Sequence, residues 1–335
     1  MPNNEEEVSL KLSASTGAKV NQETEKKEGK LLSTHKPNLG DVRNSSQEEL
    51  VDIILSKSPD DFLPWEDIDL PSQGIFYQGR IPNGTVKVRP MGLATDKILA
   101  TQRLAQTGQS IEHLFRYCVK FPSEFDPLEL LAGDRMFLLY YIRGITHGNI
   151  YEFSVPCSND TCKMQSTHSY DLNNIADTIK APGFNKEPFK IVLPYLTESA
   201  SREVWVEARF ARGSDYQVMQ KQAKIKQMVV GTARDARTGM AVGGDQNELD
   251  ETVEQNLNLL ITSVNGVSDR HKINAFVKRL HGRDTAIIRQ TIRDNQPGID
   301  PQIIVTCPQC ETEMNIMLPI TESFFRPTEQ RKPGG

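Results

Sequence analysis

The sequence predicts an α+β fold, a helical core with small antiparallel sheets, and three observations carry that reading. Met136-Phe-Leu-Leu-Tyr-Tyr-Ile142 is a dense apolar run inside a longer helical pattern. Segments such as Ile150–Val155 and Val204–Phe210 alternate apolar and polar residues, as half-buried strands do. Four of the five cysteines fall into two close pairs, each between strand-like segments.

Taken in order, residues 1–45 are polar, rich in Lys, Glu, Asn, Ser and Thr, and contain no aromatic residue. Such a stretch buries too little apolar surface to offset its ordering entropy, so it is expected to be disordered. Ser46-Gln-Glu-Glu49 has the form of a capping box, with Leu50, Ile53 and Ile54 at helical spacing, which predicts a short amphipathic helix over 46–57. Two readings of it stand: a transient helix within a tail spanning 1–61, or a docking motif for a partner.

The folded domain is expected over 62–327. Leu70-Pro-Ser-Gln-Gly74 is a turn, and Val86–Arg89 alternates as a strand. Pro82-Asn-Gly84 is turn chemistry and is expected to join that strand to another around Ile75–Tyr77. Thr95–Gln106 and Ser110–Val119 read as helices punctuated by Gly108, and the apolar run lies in a central helix within Leu128–Ile145. Ile150–Val155 leads into Cys157, and residues 166–171 continue as a strand after Cys162.

Phe189–Leu193 and Val204–Phe210 read as an antiparallel pair, with Val204, Val206 and Ala208 on one face. Ser214–Val230 reads as a helix, 231–246 as a mobile loop rich in small residues, and Asn247–Val264 as a second long helix before the Asn265-Gly266 turn. Asp269–Leu280 and Asp284–Asp294 read as shorter helices. Ile303–Thr306 and Asn315–Leu318 are strands around the second cysteine pair, and 328–335 is a polar tail.

Composition narrows the function classes. The chain has 335 residues, 37% of them hydrophobic, with a formal net charge of -5. A mildly acidic balance disfavours nucleic acid as a partner. The longest apolar run is far shorter than the roughly 18 residues of a membrane span, and MPNNEEEVSL lacks the features of a signal peptide, so no membrane partner is expected. Five cysteines in so long a chain do not make a secreted disulfide scaffold, which points to a reducing cytosol.

The cysteines carry the sharpest chemistry. Cys307-Pro-Gln-Cys310 is a C-x-x-C knuckle and Cys157-Ser-Asn-Asp-Thr-Cys162 a C-x-x-x-x-C knuckle. Each brings two sulfurs within reach of one ion, and two strand–knuckle–strand units are the parts of a zinc ribbon. The knuckles stand about 140 residues apart, but coordination requires closeness in space alone, so a split ribbon is expected. Four thiolates would close the shell of a Zn2+ ion and leave no site for water, which makes the metal structural. A redox C-x-x-C is the alternative, and it normally sits at a helix N-terminus. His168, six residues after Cys162, is a second candidate ligand or an ordinary histidine.

No phosphate-loop, nucleophile-elbow, H-E-x-x-H or dinucleotide motif occurs, and the six histidines form no pattern. Neither an enzymatic role nor a small-molecule substrate is expected. Asp134-Arg135 and Arg283-Asp284 read as helix capping and ion pairing. Residues 299–326 carry Asp300, Glu311, Glu313 and Glu322 against Arg326, a surface that repels phosphate. Lys221–Lys226 and Arg270–Arg293 are basic stretches that also fit solvated helix faces. A zinc-ribbon nucleic-acid-binding or transcription-associated protein remains the alternative reading.

The order of motifs adds a resemblance. Leu70-Pro-Ser-Gln-Gly is followed by Val86-Lys-Val-Arg-Pro-Met91, Gly133-Asp-Arg135 and Ile142-Arg-Gly-Ile-Thr-His-Gly148. Then come Tyr151-Glu-Phe-Ser-Val-Pro-Cys157 with Cys162, Cys307-Pro-Gln-Cys310 and Leu318-Pro-Ile-Thr-Glu-Ser-Phe-Phe-Arg-Pro327. Over about 63–327 the chain resembles the baseplate hub family of contractile-tailed, T-even-type bacteriophages, the hub subunit or the hub-assembly chaperone. The first knuckle is longer than the compact C-x-x-C, and the N-terminal tail and 231–246 look like additions. The resemblance implies a virion-morphogenesis protein whose partners are other phage tail and baseplate proteins. It would act in the host bacterial cytoplasm during assembly, or reside in the tail baseplate. Phe324-Phe325 would then cover the ribbon's own core or contact a partner, as Leu50, Ile53 and Ile54 would in the docking reading.

Overall fold

The computed structural model describes residues 42–43, 45–57, 62–101, 104, 109–232 and 252–327; within 223–232 and at 322 it describes the backbone alone. Residues 1–41 and 44 of the expected disordered stretch 1–45, nearly all of the expected loop at 231–246 and the tail at 328–335 lie outside the described residues, while 231 and 232 belong to a helix.

Helix α1 (Gln47–Ser56) opens on the expected capping box. Glu49 N–H donates to Ser46 Oγ at 3.2 Å, and Ser46 N–H donates to Glu49 Oε2 at 2.8 Å. None of its residues is buried.

An antiparallel sheet follows, with order β1 (Glu66–Asp69), β2 (Thr85–Val88), β3 (Val119–Lys120). Here the structure corrects one expectation: β2 pairs with β1, and Ile75–Tyr77 is a 3-10 turn. The physical reason lies in the turn chemistry. Gln73, Gln78 and Asn83 all adopt left-handed φ, between 54° and 56°, which no strand permits. Gly74 and Gly84 meet backbone to backbone; a Cβ on Gly84 would lie 2.3 Å from the Gln73 carbonyl carbon. Residues 70–84 therefore curl into a compact loop, closed by Leu70 N–H donating to Gly84 O at 2.9 Å.

Helix α2 (Leu93–Leu99) covers only part of the expected Thr95–Gln106, and 102, 103 and 105–108 lie outside the described residues. Helix α3 (Ser110–Cys118) leads into β3. Helix α4 (Ala132–His147) is the central element: 13 of its 16 residues are buried. A helix apolar on all sides must be enclosed, which is what its run of seven large side chains dictates. Asp134 and Arg135 in its first turn are buried and paired. Asp134 accepts from Ser72 N–H at 3.0 Å and from Tyr77 OH at 2.5 Å, while Arg135 meets Glu112 at 2.7 Å.

Strands β4 (Ile150–Pro156) and β5 (Gln165–Asp171) form a hairpin paired from Ile150↔Asp171 to Pro156↔Gln165. A second three-stranded sheet has the order β6 (Phe189–Val192), β7 (Trp205–Ala208), β8 (Ile261–Val264). Val206 and Ala208 are fully buried, as the alternation required. Helix α5 (Pro194–Ala200) links β6 to β7, and α6 (Gly213–Thr232) follows β7. The expected helix Asn247–Val264 is corrected in part. Helix α7 spans Thr252–Leu260, and Ile261–Val264 is strand β8. Three of those four residues are β-branched, and they complete the sheet against β7.

Helices α8 (Arg270–Val277) and α9 (Gly282–Asn295) follow, then the hairpin β9 (Gln302–Thr306) and β10 (Glu313–Met317), and a short helix α10 (Glu322–Phe325). Asp284 caps α5, accepting from Tyr195 N–H and Leu196 N–H at 3.1 Å each. Gly133 admits the chain at 297–298 against α4: a Cβ there would lie 1.9 Å from Pro297 O. The result is a mixed fold of helices and small antiparallel sheets with one continuous core.

Candidate metal centre

Each cysteine pair sits on the tip of a hairpin. In the β4–β5 hairpin, Cys157 N–H donates to Met164 O at 2.8 Å. In the β9–β10 hairpin, Cys307 N–H donates to Thr312 O at 3.0 Å. The two tips are built alike. In both, the first cysteine's N–H reaches the carbonyl two residues past the second cysteine. In both, the residue directly after the second cysteine is left-handed: Lys163 at φ 45° and Glu311 at φ 55°. That conformation reverses the chain and turns both sulfurs of a pair to one side.

The two extra residues of the first knuckle are absorbed by an Asn turn. Asn159 Oδ1 accepts from Thr161 N–H at 3.0 Å and from Thr161 Oγ1 at 2.7 Å, while Asn159 N–H approaches Cys157 Sγ at 3.4 Å. The tips also touch each other: Ser158 N–H donates to Met314 Sδ at 3.2 Å, and Asn159 Nδ2 lies 3.5 Å from Thr312 Oγ1.

The outcome is a cluster of four sulfurs, Cys157, Cys162, Cys307 and Cys310, all within 4.8 Å of one another. The shortest separations cross between the knuckles: Cys157 to Cys310 is 3.5 Å and Cys162 to Cys307 is 3.9 Å. A thiolate tetrahedron with metal–sulfur bonds of about 2.3 Å has edges of about 3.8 Å, so the four sulfurs already stand near the spacing such an ion needs. No pair is joined as a disulfide. The donor set, four soft sulfurs with no carboxylate or imidazole among them, suits a metal such as zinc.

Cys157 and Cys307 are buried, while Cys162 and Cys310 are half-buried. Thr312 gives Cys310 its hydroxyl contact at 3.2 Å, and its hydroxyl and N–H together hold that thiol down to about 6. Cys118 is the contrast. Its burial in the core pushes the thiol up to about 12, and it lies in α3, outside the cluster. His168 is also outside; its Nε2 lies 2.8 Å from Ser166 Oγ. Thr312, Asn159 and the left-handed Lys163 and Glu311 went unnoticed in the sequence. The one available signal was positional, and only for the left-handed pair, since Lys163 and Glu311 each directly follow the second cysteine of their knuckle.

A family model described as T4 bacteriophage base plate protein matches residues 73–326. The chain belongs to that family. The match takes in both knuckles, the central helix α4 and the C-terminal helix α10, and it leaves out α1. Neither among curated proteins nor among solved structures does any protein match the chain.

The C-terminal aromatics of this base plate family member lie inside. Phe324 is 0% and Phe325 5% exposed, so both lie in the core of the chain. Phe324 packs edge-on against Tyr140 and Tyr151 at ring separations of 5.1 and 5.0 Å. Tyr140 OH donates to Leu318 O at 2.8 Å, and Tyr151 OH donates to Pro319 O at 3.0 Å. His147 Nε2 lies 2.9 Å from Phe325 O. Leu50, Ile53 and Ile54 have the opposite fate: on α1 they are half-buried or exposed. Among the described residues, no helix is long and apolar enough to cross a membrane.

Proposed function

We propose that this chain is a non-enzymatic assembly or structural protein of a contractile phage tail. It acts in morphogenesis of the baseplate hub by protein–protein binding, as a hub component or as a chaperone of the hub. Zn2+ held by Cys157, Cys162, Cys307 and Cys310 is its structural staple. The observation that carries this reading is the four-sulfur cluster at the meeting point of two hairpins within the matched base plate region. Four thiolates saturate the ion, so the metal's contribution is to folding.

Its partners, on this reading, are other tail and baseplate proteins, met in the host bacterial cytoplasm. Co-expression with the tail proteins of the same phage tests it. The expected result is a stable complex with one or more baseplate components that survives size-exclusion chromatography. Binding to duplex DNA with a steep salt dependence, and to no tail protein, would replace this reading with the nucleic-acid one.

A further inference from the structure

The four sulfurs differ in how far solvent reaches them. Cys162 and Cys310 are half-buried, beside the exposed tip residues Asp160, Thr161, Pro308 and Gln309, while Cys157 and Cys307 are buried. The shortest separations each join an outer sulfur to an inner one on the other hairpin, Cys310 to Cys157 at 3.5 Å and Cys162 to Cys307 at 3.9 Å. An accessible sulfur beside a sheltered one is the arrangement in which a thiol is oxidised and then resolved to a disulfide. We propose that this centre is an oxidation site for a peroxide and closes as two cross-knuckle disulfides, Cys157–Cys310 and Cys162–Cys307.

The chemistry balances with a peroxide as oxidant. The Cys310 thiolate attacks one oxygen of hydrogen peroxide, the O–O bond breaks, and the other oxygen takes a proton and leaves as water. The Cys157 thiolate then attacks the Cys310 sulfenic acid. The S–S bond forms, the S–O bond breaks, and the departing hydroxide takes a proton to become a second water. Cys162 and Cys307 repeat the sequence with another peroxide. In all, four thiolates, two peroxides and four protons give two disulfides and four waters, each sulfur losing one electron and each peroxide gaining two. With no thiolate left, the ligand set for Zn2+ is gone and the ion is released.

Distance selects the connectivity. Four thiols can pair in three ways. A disulfide bond is about 2.0 Å long, so the cross pairs must close by about 1.5 and about 1.9 Å, less than about 1 Å for each sulfur. Pairing within each knuckle would close two small loops and leave the hairpins unjoined. The cross pairing links positions 153 and 145 residues apart, the same hairpin-to-hairpin tie that the metal makes, so the constraint on the unfolded chain is kept as the ion leaves. The pairing rests on the sulfur geometry, while its use rests on the tail-protein reading above. A particle assembled in a reducing cytosol and released into an oxidising medium keeps its hairpins joined after the metal is lost.

The test treats the zinc-loaded full chain with a small excess of hydrogen peroxide. Zinc release is followed with a metallochromic dye, thiols are counted in denaturant, and non-reduced tryptic peptides are read by tandem mass spectrometry. No Lys or Arg lies between Cys157 and Cys162 or between Cys307 and Cys310, so each knuckle stays on one peptide. Zinc is expected to leave in step with four of the five thiols, Cys118 alone remaining, buried in α3. The two knuckle peptides are expected to be linked to each other, with fragment ions placing Cys157 on Cys310 and Cys162 on Cys307. The oxidised chain is expected to melt at least about 10 °C above the reduced, chelated one. Knuckle peptides each closed on themselves overturn the proposal, as does a Cys157–Cys307 link, or sulfinic acid at Cys162 and Cys310 with no link at all. So does an oxidised chain that melts no higher than the reduced, chelated one. A chain that holds no zinc before oxidation sinks the metal reading of the site, and the peptide map decides the pairing in either case.

Discussion

Removing the metal from the four-cysteine site should destabilise the whole domain, and the structure sets the scale. Cys162 and Cys307 are 145 positions apart, so an ion joining them closes a very long loop. Treating the ion as a cross-link, the lost loop entropy of the unfolded chain is worth about 5 kcal/mol at 25 °C. For a domain of this size each kcal/mol moves the melting temperature by about 2–4 °C, so chelation should lower it by about 10–20 °C. Cys307→Ser should do the same without chelator, because Cys307 is fully buried and the other thiol of its hairpin, Cys310, is already one of the four sulfurs. The assay is differential scanning calorimetry with zinc counted by elemental analysis on the same sample. The expected result is one zinc per chain, lost together with the high-temperature transition. Cys118→Ser is the control and should retain the metal. A chelated parent, or a Cys307→Ser variant, that melts at the same temperature as the untreated parent would refute the staple.

Three further outcomes are expected. Asp134→Ala leaves Ser72 N–H and Tyr77 OH as buried donors without their acceptor, a loss of about 2–6 kcal/mol readable as a lower urea midpoint. Burial, with Arg143 nearby, lowers the pKa of His147, so the unfolded chain takes up that proton first as pH falls. The stability that neutral His147 contributes is complete above its ordinary 6.5 and is lost as pH drops through the lower folded value, so the urea midpoint should fall less on acidification in His147→Gln than in the parent. Two glycines should behave oppositely: Gly133→Ala drives a Cβ into Pro297 O and should prevent native folding, whereas Gly282→Ala meets nothing within 4 Å and should gain about 0.4–1 kcal/mol by thermal melting.

The parts of the fold that were legible in the sequence are those fixed by local chemistry. The run Met136–Ile142 could only be an enclosed helix, and the Ser46–Glu49 box marked the start of α1 to the residue. Both cysteine hairpins were visible because alternation brackets each pair. The errors arose where a distant partner decides. Ile261–Val264 continues the apolar pattern of α7 without a break, and only the free edge of β7 makes it a strand. Ile75–Tyr77 has strand-like residues, but Gln73 and Gln78 in left-handed conformations on either side bend the chain away. The candidate site was legible as ligands and illegible as supports. Thr312 and Asn159 act on the sulfurs only because the two tips meet, and no local pattern announces that.

The split ribbon is held by two ties of different character. One is the sulfur cluster at the tips of the hairpins. The other is the C-terminal clamp at their base, where Phe324 lies between Tyr140 and Tyr151 and the tyrosine hydroxyls hold Leu318 O and Pro319 O. The clamp joins β10 and the residues after it to α4, and so to the core, through apolar burial that needs no metal. The cluster joins the tips, where Pro308, Gln309 and Glu311 are exposed and Cys162 and Cys310 are half-buried. Metal loss should therefore open the hairpin tips first, with amide exchange rising at Cys157–Met164 and Cys307–Thr312 before it rises in α4. A chain built this way couples the order of one exposed surface to the metal while its core remains folded.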